Sequence, residues 1–194
     1  CLNESAPVFA VPNLQFVDAE ELLYELNCDG MEGEVIGGLV EITSSFDLNK
    51  SRAFQNGLFH IEDISCYNAV QALGIEQNDV VLDICSAPGG KAFTAASFMK
   101  DKGTIYALDI YEHRINLIKN GAARLSLKSV VPMINDGMQF NSELPAADKI
   151  ICDVPCSGFG IIRRKPEIRY KNLDSIKNLP EMQMKILETS AKYL

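Results

Sequence analysis

The residues able to do chemistry gather in two stretches. Asp83-Ile-Cys-Ser-Ala-Pro-Gly-Gly-Lys91 places a glycine pair and a lysine after one apolar run, and Asp153-Val-Pro-Cys-Ser-Gly-Phe-Gly160 places an acid and a thiol after another. Gly89 and Gly90 let a ligand approach the backbone closely, and the first-turn N–H groups of the helix that follows can receive a carboxylate. Neither G-x-G-x-x-G nor G-x-x-x-x-G-K-[ST] is present, which disfavours a pyrophosphate ligand. Taken alone, Pro-Gly-Gly also suits a plain reversal of the chain. Cys156 stands beside Pro155 in a glycine-containing loop ahead of a cationic stretch, surroundings that favour a thiolate.

Two more acids fall at telling places. Asp109 lies 19 residues after Gly90, where an acid accepting from both ribose hydroxyls belongs in a βαβ unit. Asn135-Asp136-Gly137 adds a carboxylate near where an adenine amino group would lie. Acids after three successive strands suit a ligand with adenosine but no phosphates, and S-adenosylmethionine fits; each Asp taken singly also suits a cap or turn.

The elements that must hold these residues follow from periodicity. Apolar, β-branched runs at Val80 to Ile84, Thr104 to Leu108, Val130 to Ile134 and Lys149 to Cys152 predict strands. Between them lie helical patterns at Gly90 to Lys100 and Glu112 to Leu125, with a weaker one near Asn141. Strands apolar on both faces and separated by helices predict a parallel sheet covered on both sides, with ligands at the carboxyl ends of its strands. Upstream, Val8 to Val11 predicts a strand, Asp18 with Glu21 a capping box opening a helix to Cys28, and Glu34 to Ile36 with Leu39 to Ile42 a strand pair. The polar segment from Thr43 to Gly57 reads as a connection. The expected organisation is a small acidic α/β element over 1–55 and a larger α/β domain over 56–194.

Composition narrows the classes. The chain has 194 residues, 47% hydrophobic and 23% charged, which is globular rather than disordered. No apolar run approaches the ~20 residues that cross a bilayer, and the start lacks the features of a signal peptide. A cytoplasmic protein is expected, and the absence of an initial Met suggests a fragment. Six scattered cysteines without a C-x-x-C pair, and only two histidines, argue against a metal site and a disulfide framework; most of these cysteines, Cys1 included, are expected to be buried small hydrophobes. Net charge is −8 but lopsided: 2 basic and 14 acidic side chains up to residue 80, 16 and 12 beyond it. A polyanion would meet the second half, where Arg163, Arg164, Lys165, Arg169 and Lys171 fall close together, although such a run is also an ordinary solvated face.

The two long motifs, with Asp109 and Asp136 interleaved between them, resemble the RNA cytosine-5 methyltransferases related to bacterial RsmB, also called Sun or Fmu. The similarity covers about residues 55 to 194, with Gly57-Leu-Phe-His-Ile-Glu-Asp-Ile-Ser65 resembling the start of that family's catalytic domain. The resemblance implies a Rossmann-like class I methyltransferase fold with S-adenosylmethionine as cofactor. It implies that Cys85, Ser86, Ala87, Pro88, Gly89, Gly90 and Lys91 form the cofactor loop. Asp109 would hold the ribose, Asp136 would approach the adenine, and Asp153, counted with the cofactor-binding residues, would lie by the methyl-donor and target-base pocket. Cys156 corresponds to the first active-site cysteine, thought to assist product release. The family's attacking thiol lies in a later Thr-Cys segment, absent here, so the sheet is expected to be incomplete at its carboxyl-terminal side. Lys91 would add positive potential near the target, Arg163, Arg164 and Lys165 would hold RNA phosphates, and small-subunit ribosomal RNA is the implied partner.

Two rivals stay open. An amino-group methyltransferase would want an Asn or Asp-Pro-Pro-aromatic loop, whereas Val154 and Cys156 stand in place of the first Pro and the aromatic. The other rival is a non-catalytic module that binds cofactor or RNA.

Overall fold

The computed structural model describes residues 6–194. Its first sheet is antiparallel and is built from β1 (Val8–Pro12), β2 (Gly33–Ile36), β3 (Leu39–Ile42) and β4 (Phe59–Glu62), in the order β2-β3-β1-β4. Gly37 and Gly38, at φ of +59° and +86°, form the two-residue turn that joins β2 to β3, a backbone state costly to residues with a Cβ. Helix α1 (Ala19–Cys28) starts at the expected capping box, in which Asp18 accepts from the Glu21 N–H and Glu21 from the Asp18 N–H. It buries Leu22 and Leu26, one turn apart, with Ala10, Val40 and Phe59 of the sheet. A single-turn helix α2 (Arg52–Gln55) interrupts the segment expected to be a plain connection.

Strand β4 pairs with β1, so this sheet draws on residues from both sides of the expected boundary at 55/56. Strand alternation then decides what β4 presents. Phe59 and Ile61 pack into the core under α1, and His60 and Glu62 point the other way, towards the second sheet.

That second sheet is parallel, with β5 (Val80–Asp83), β6 (Thr104–Asp109), β7 (Val130–Ile134) and β8 (Lys149–Ile151) in the order β7-β6-β5-β8. Helices α3 (Ile64–Ala72), α4 (Gly90–Phe98) and α5 (Glu112–Arg124) cover one face, where Val81, Ile105, Ala107 and Val130 meet Ala95, Met99, Ile115 and Ile118. Helix α6 (Leu179–Ser190) covers the other, setting Ile186 against Leu82, Ile84 and Leu108. The expected α/β architecture with helices on both faces is therefore present. Because β6 and β8 flank β5, the chain reverses its direction of travel across the sheet beside β5, and the crevice at that strand's carboxyl end is the natural ligand site.

Two expectations fail. No helix forms near Asn141: Asp136 accepts from the Met138 N–H and Asn141 from the Glu143 N–H, local turns that compete with helical bonding, and Pro145 follows. The cysteines are not buried hydrophobes either. Cys28 and Cys156 are exposed, while Cys66, Cys85 and Cys152 are partly exposed; Cys1 lies outside the described residues. The reason is position, since Cys85 and Cys152 follow strand ends at the rim of the sheet and Cys28 lies on the outer face of α1.

A polar seam locks the sheets together. The buried Asn13 side chain donates to the carbonyls of Gly57 (3.1 Å) and Leu125 (2.8 Å). Ser97 Oγ donates to the Pro12 carbonyl (3.0 Å) and accepts from the Leu14 N–H (2.8 Å). Arg124 donates to the Phe54 and Phe59 carbonyls and lies 3.7 Å from the centre of the Phe54 ring.

Candidate active site

The loop from Cys85 to Lys91 leaves β5 and turns directly into α4. Ser86 N–H donates to the Leu108 carbonyl (2.8 Å), which pins the loop to the neighbouring strand. Gly89 opens the helix at φ +111°, and a Cβ there would lie 2.5 Å from the Phe93 ring. At Gly90 a Cβ would meet the Glu62 carboxylate, with Cδ at 2.7 Å. The carboxylate lying against the first turn of α4 is thus one of the chain's own, delivered by β4, which sequence reasoning missed. The alternation of Phe59-His-Ile-Glu62 was its one available signal.

Beneath and beside this loop lies a cavity of about 320 Å³, lined by Glu62, Asp83, Cys85, Ser86, Lys91 and Asp153 among others. Asp83 is 1% exposed, and burial pushes its carboxyl up to about 7 despite the nearby Ser86 hydroxyl and Lys91 charge. Both its oxygens, together with Glu62 Oε2 and Ser86 Oγ, are buried without a well-formed hydrogen bond among the described residues. Burial also raises the Glu62 carboxyl, against the pull of Lys91.

Lys91 and Asp153 meet at 2.7 Å, the ammonium mostly covered and the carboxylate largely open to solvent. Burial works against the Lys91 charge, but the hydrogen bond and charge of Asp153 outweigh it and hold the amine protonated, above its ordinary range. The thiols around this pair are held in the protonated form. Burial and the Asp83 carboxylate push Cys85 up to about 12, and burial also raises Cys66 and Cys152. Cys156 sits apart from them, exposed on the loop after β8, whose Pro155 carbonyl accepts from Gln183 of α6 (2.8 Å).

At the end of β6, Asp109 is 2% exposed and accepts from the Tyr111 N–H (3.1 Å). Arg114 lies 3.0 Å from its other oxygen, close but not aligned as a hydrogen bond, and donates instead to the Ala87 carbonyl (2.7 Å). Arg114, which sequence reasoning missed, therefore ties the acid to the glycine loop. Asp136 is taken up in a turn, accepting from the Met138 N–H (3.0 Å) and the Gln139 amide (2.8 Å). Ile110 and Asp136 line one shallow groove, and Ile110 is 52% exposed, an apolar surface offered beside two acids.

The basic run divides. Arg164 pairs with Asp63 at 2.5 Å and donates to the Pro7 carbonyl (3.0 Å), so it fastens the loop to the first sheet. Lys171 donates to the Ser157 carbonyl (3.0 Å), within the loop. Arg163 also has contacts of its own, and Lys165 is exposed. Among the described residues there is no group of acidic, His and Cys side chains placed to hold a metal ion, and no helix long and apolar enough to cross a membrane.

Residues 70–194 match the family model of the 16S rRNA methyltransferases RsmB/F. The chain belongs to this family. Among curated relatives of the RsmB/F enzymes, it is 37% identical over 187 residues to the Bacillus subtilis protein named "Probable ribosomal RNA small subunit methyltransferase B", covering 92% of this chain and 41% of that one. It is 30% identical to the Cronobacter sakazakii ribosomal RNA small subunit methyltransferase B, over 96% of this chain and 44% of the relative. The chain thus spans less than half the length of these relatives. The crystal structure of a methyltransferase homologue from Pyrococcus horikoshii superposes with a TM-score of 0.85 at 26% identity, covering 100% of this chain and 62% of that one.

Membership of RsmB/F makes S-adenosylmethionine the cofactor, and the residues fit it. Asp109 and Asp136 follow the adjacent strands β6 and β7, Asp109 buried and Asp136 lining a shallow groove with the exposed Ile110. The buried acceptors of Glu62, Asp83 and Ser86 form a polar receptor beside the glycine loop.

Proposed function

We propose that the protein carrying this chain methylates carbon 5 of cytosine in RNA, with small-subunit ribosomal RNA as substrate, through a covalent cysteine adduct. The observation that carries this reading is the Lys91–Asp153 pair, set at the mouth of the cofactor cavity and three residues before Cys156. Cytosine carbon 5 is a poor nucleophile. Addition of a thiolate to carbon 6 makes the ring enamine-like; carbon 5 then bonds to the methyl, and loss of its proton with expulsion of the thiolate restores the aromatic ring. S-adenosylmethionine, when bound, supplies the electrophilic methyl.

Each residue has a task in this scheme. Lys91 holds Asp153 in place, and the open face of the Asp153 carboxylate meets the cytosine edge, favouring its protonated form as the thiolate adds. The exposed Cys156 assists release of the methylated base, the role its motif resembles. Cys85, Ser86, Ala87, Pro88, Gly89 and Gly90 bind the cofactor, Asp109 its ribose and Asp136 its adenine. The target base leaves its stack to reach this site, and Lys165 meets phosphate beside it. A cytoplasmic location goes with such a substrate.

The test is transfer of labelled methyl to small-subunit ribosomal RNA by the whole protein, followed by nucleoside analysis. Label in 5-methylcytidine supports the reading, and label on an exocyclic amine replaces it with the amino-group alternative. Asp153→Asn should lower transfer at least about a hundredfold while leaving S-adenosylhomocysteine binding in place. Cys156→Ala should leave a denaturation-resistant complex of protein and RNA.

A further inference from the structure

The first sheet does more than support the second. Glu62 is the last residue of β4, and strand alternation aims its side chain at the glycine loop, where only the missing Cβ of Gly90 leaves it room. One of its oxygens accepts from the Asp63 N–H at 3.4 Å, the Cys66 thiol lies beside the carboxyl, and the other oxygen is buried without a well-formed hydrogen bond. Asp83, also buried in the same cavity, has the Ser86 hydroxyl beside it, and neither of its oxygens is held by a well-formed hydrogen bond. The cavity's ammonium, that of Lys91, is committed to Asp153 at 2.7 Å. A buried acceptor without a donor is costly, and here several converge on one space, so the cavity calls for a compact cation with several N–H donors.

We infer that Glu62, delivered by the first sheet, joins Asp83 in receiving the α-ammonium group of the cofactor's amino-acid arm. The inference rests on the cofactor reading above and assigns part of that site to the N-terminal element. An α-ammonium carries three donors and one positive charge, which matches acceptors of two carboxylates. The glycine at position 90 then has a second purpose, since any side chain there would displace the Glu62 carboxylate from the cavity.

The experiment compares calorimetric binding of S-adenosylhomocysteine with its deaminated analogue, which keeps the nucleoside, thioether and carboxylate. The wild-type chain should prefer the amine-bearing ligand by about tenfold to a hundredfold. Glu62→Met, similar in length but without acceptors, should shrink that preference severalfold and leave the deaminated ligand's affinity unchanged; Glu62→Gln, which keeps one acceptor, should fall between. An unchanged preference in Glu62→Met overturns the inference, as does equal loss of both ligands. Should Glu62→Met fail to fold, Glu62→Gln decides: a preference equal to that of the wild type overturns the inference, and so does a wild type with no preference for the amine. Failure of the wild type to bind either ligand overturns the cofactor reading itself.

Discussion

The two sides of the cleft are built by opposite means. On the β5 and β6 side, Asp83, Ser86 and Asp109 are buried at strand ends, the loop between them is pinned to β6 and to Arg114, and the first sheet backs it through the Asn13, Ser97 and Arg124 hydrogen bonds. On the β8 side, Cys156 and the basic residues lie on an exposed stretch with three short 3-10 turns, Phe159–Ile161, Pro166–Tyr170 and Leu173–Ile176. That stretch is fastened by side-chain contacts such as Lys91 to Asp153, Arg164 to Asp63 and Gln183 to Pro155. The contrast suits the two ligands of the proposed function. A small cofactor of fixed shape rewards a preorganised pocket, whereas a structured RNA must be admitted and its base turned inward, which suits a loop held at a few points.

The largest effect should come from breaking the seam behind the cofactor side. Gly57 adopts φ +73°, and a Cβ there would lie 2.1 Å from the Arg124 carbonyl oxygen, a clash with backbone that no rotamer relieves. Gly57→Ala should cost about 3 kcal/mol or more in urea unfolding and weaken S-adenosylhomocysteine binding with it. Next in size, Asp109→Asn should weaken that ligand about tenfold to a hundredfold while moving the unfolding midpoint little, because it removes a charged acceptor and keeps the shape. Equal damage to stability and binding would assign Asp109 to the Arg114 contact alone.

A pH series probes the same side. Asp83 is an acid raised from 3.8 to about 7, so its contribution relative to the unfolded chain is fully present below about pH 3.8 and is lost as pH rises through 7. His60, held down at about 3 by burial beside Arg124, acts in the other direction, its contribution present above 6.5 and lost as pH falls towards 3. Subtracting Asp83→Asn from wild type isolates the acid. The ligand-free variant should gain on wild type by up to about 4 kcal/mol between pH 4 and pH 8. A difference that stays flat over that range would show that the Asp83 carboxyl is not driven up by burial.

The same contrast explains what was legible in the sequence. The parallel strands, α4, α5, the capping box at Asp18 and the strand-end positions of Asp109 and Asp136 are legible, because each depends on local pattern and on motif spacing. What was not legible depends on long-range pairing. Phe59 to Glu62 is too short to declare itself a strand, and its membership of the first sheet comes from β1, some fifty residues earlier. The roles of His60, Glu62 and Arg114 follow from what they face after folding, and residue type alone left them anonymous. Cysteine exposure is hidden from the sequence for a related reason: hydrophobic character says where a thiol is tolerated, and strand-end position decides where Cys85 and Cys152 lie.

The smallest expected effect separates the two sides most sharply. Arg164 resembles a phosphate contact by sequence, yet it is spent on Asp63 and the Pro7 carbonyl, so its removal tests fastening rather than charge. Because the pair is partly exposed, Arg164→Ala should cost no more than about 1 kcal/mol of stability and leave S-adenosylhomocysteine affinity unchanged. RNA affinity should fall modestly. Lys165→Ala supplies the control: if that residue meets phosphate directly, its loss should lower the slope of RNA affinity against salt by about one charge. Arg164→Ala would reproduce that change in slope only if RNA pulls the arginine from Asp63, and Asp63→Asn should then strengthen RNA binding by freeing it. A slope unmoved by Arg164→Ala, with RNA affinity lowered, assigns this arginine to holding the loop in place for the base.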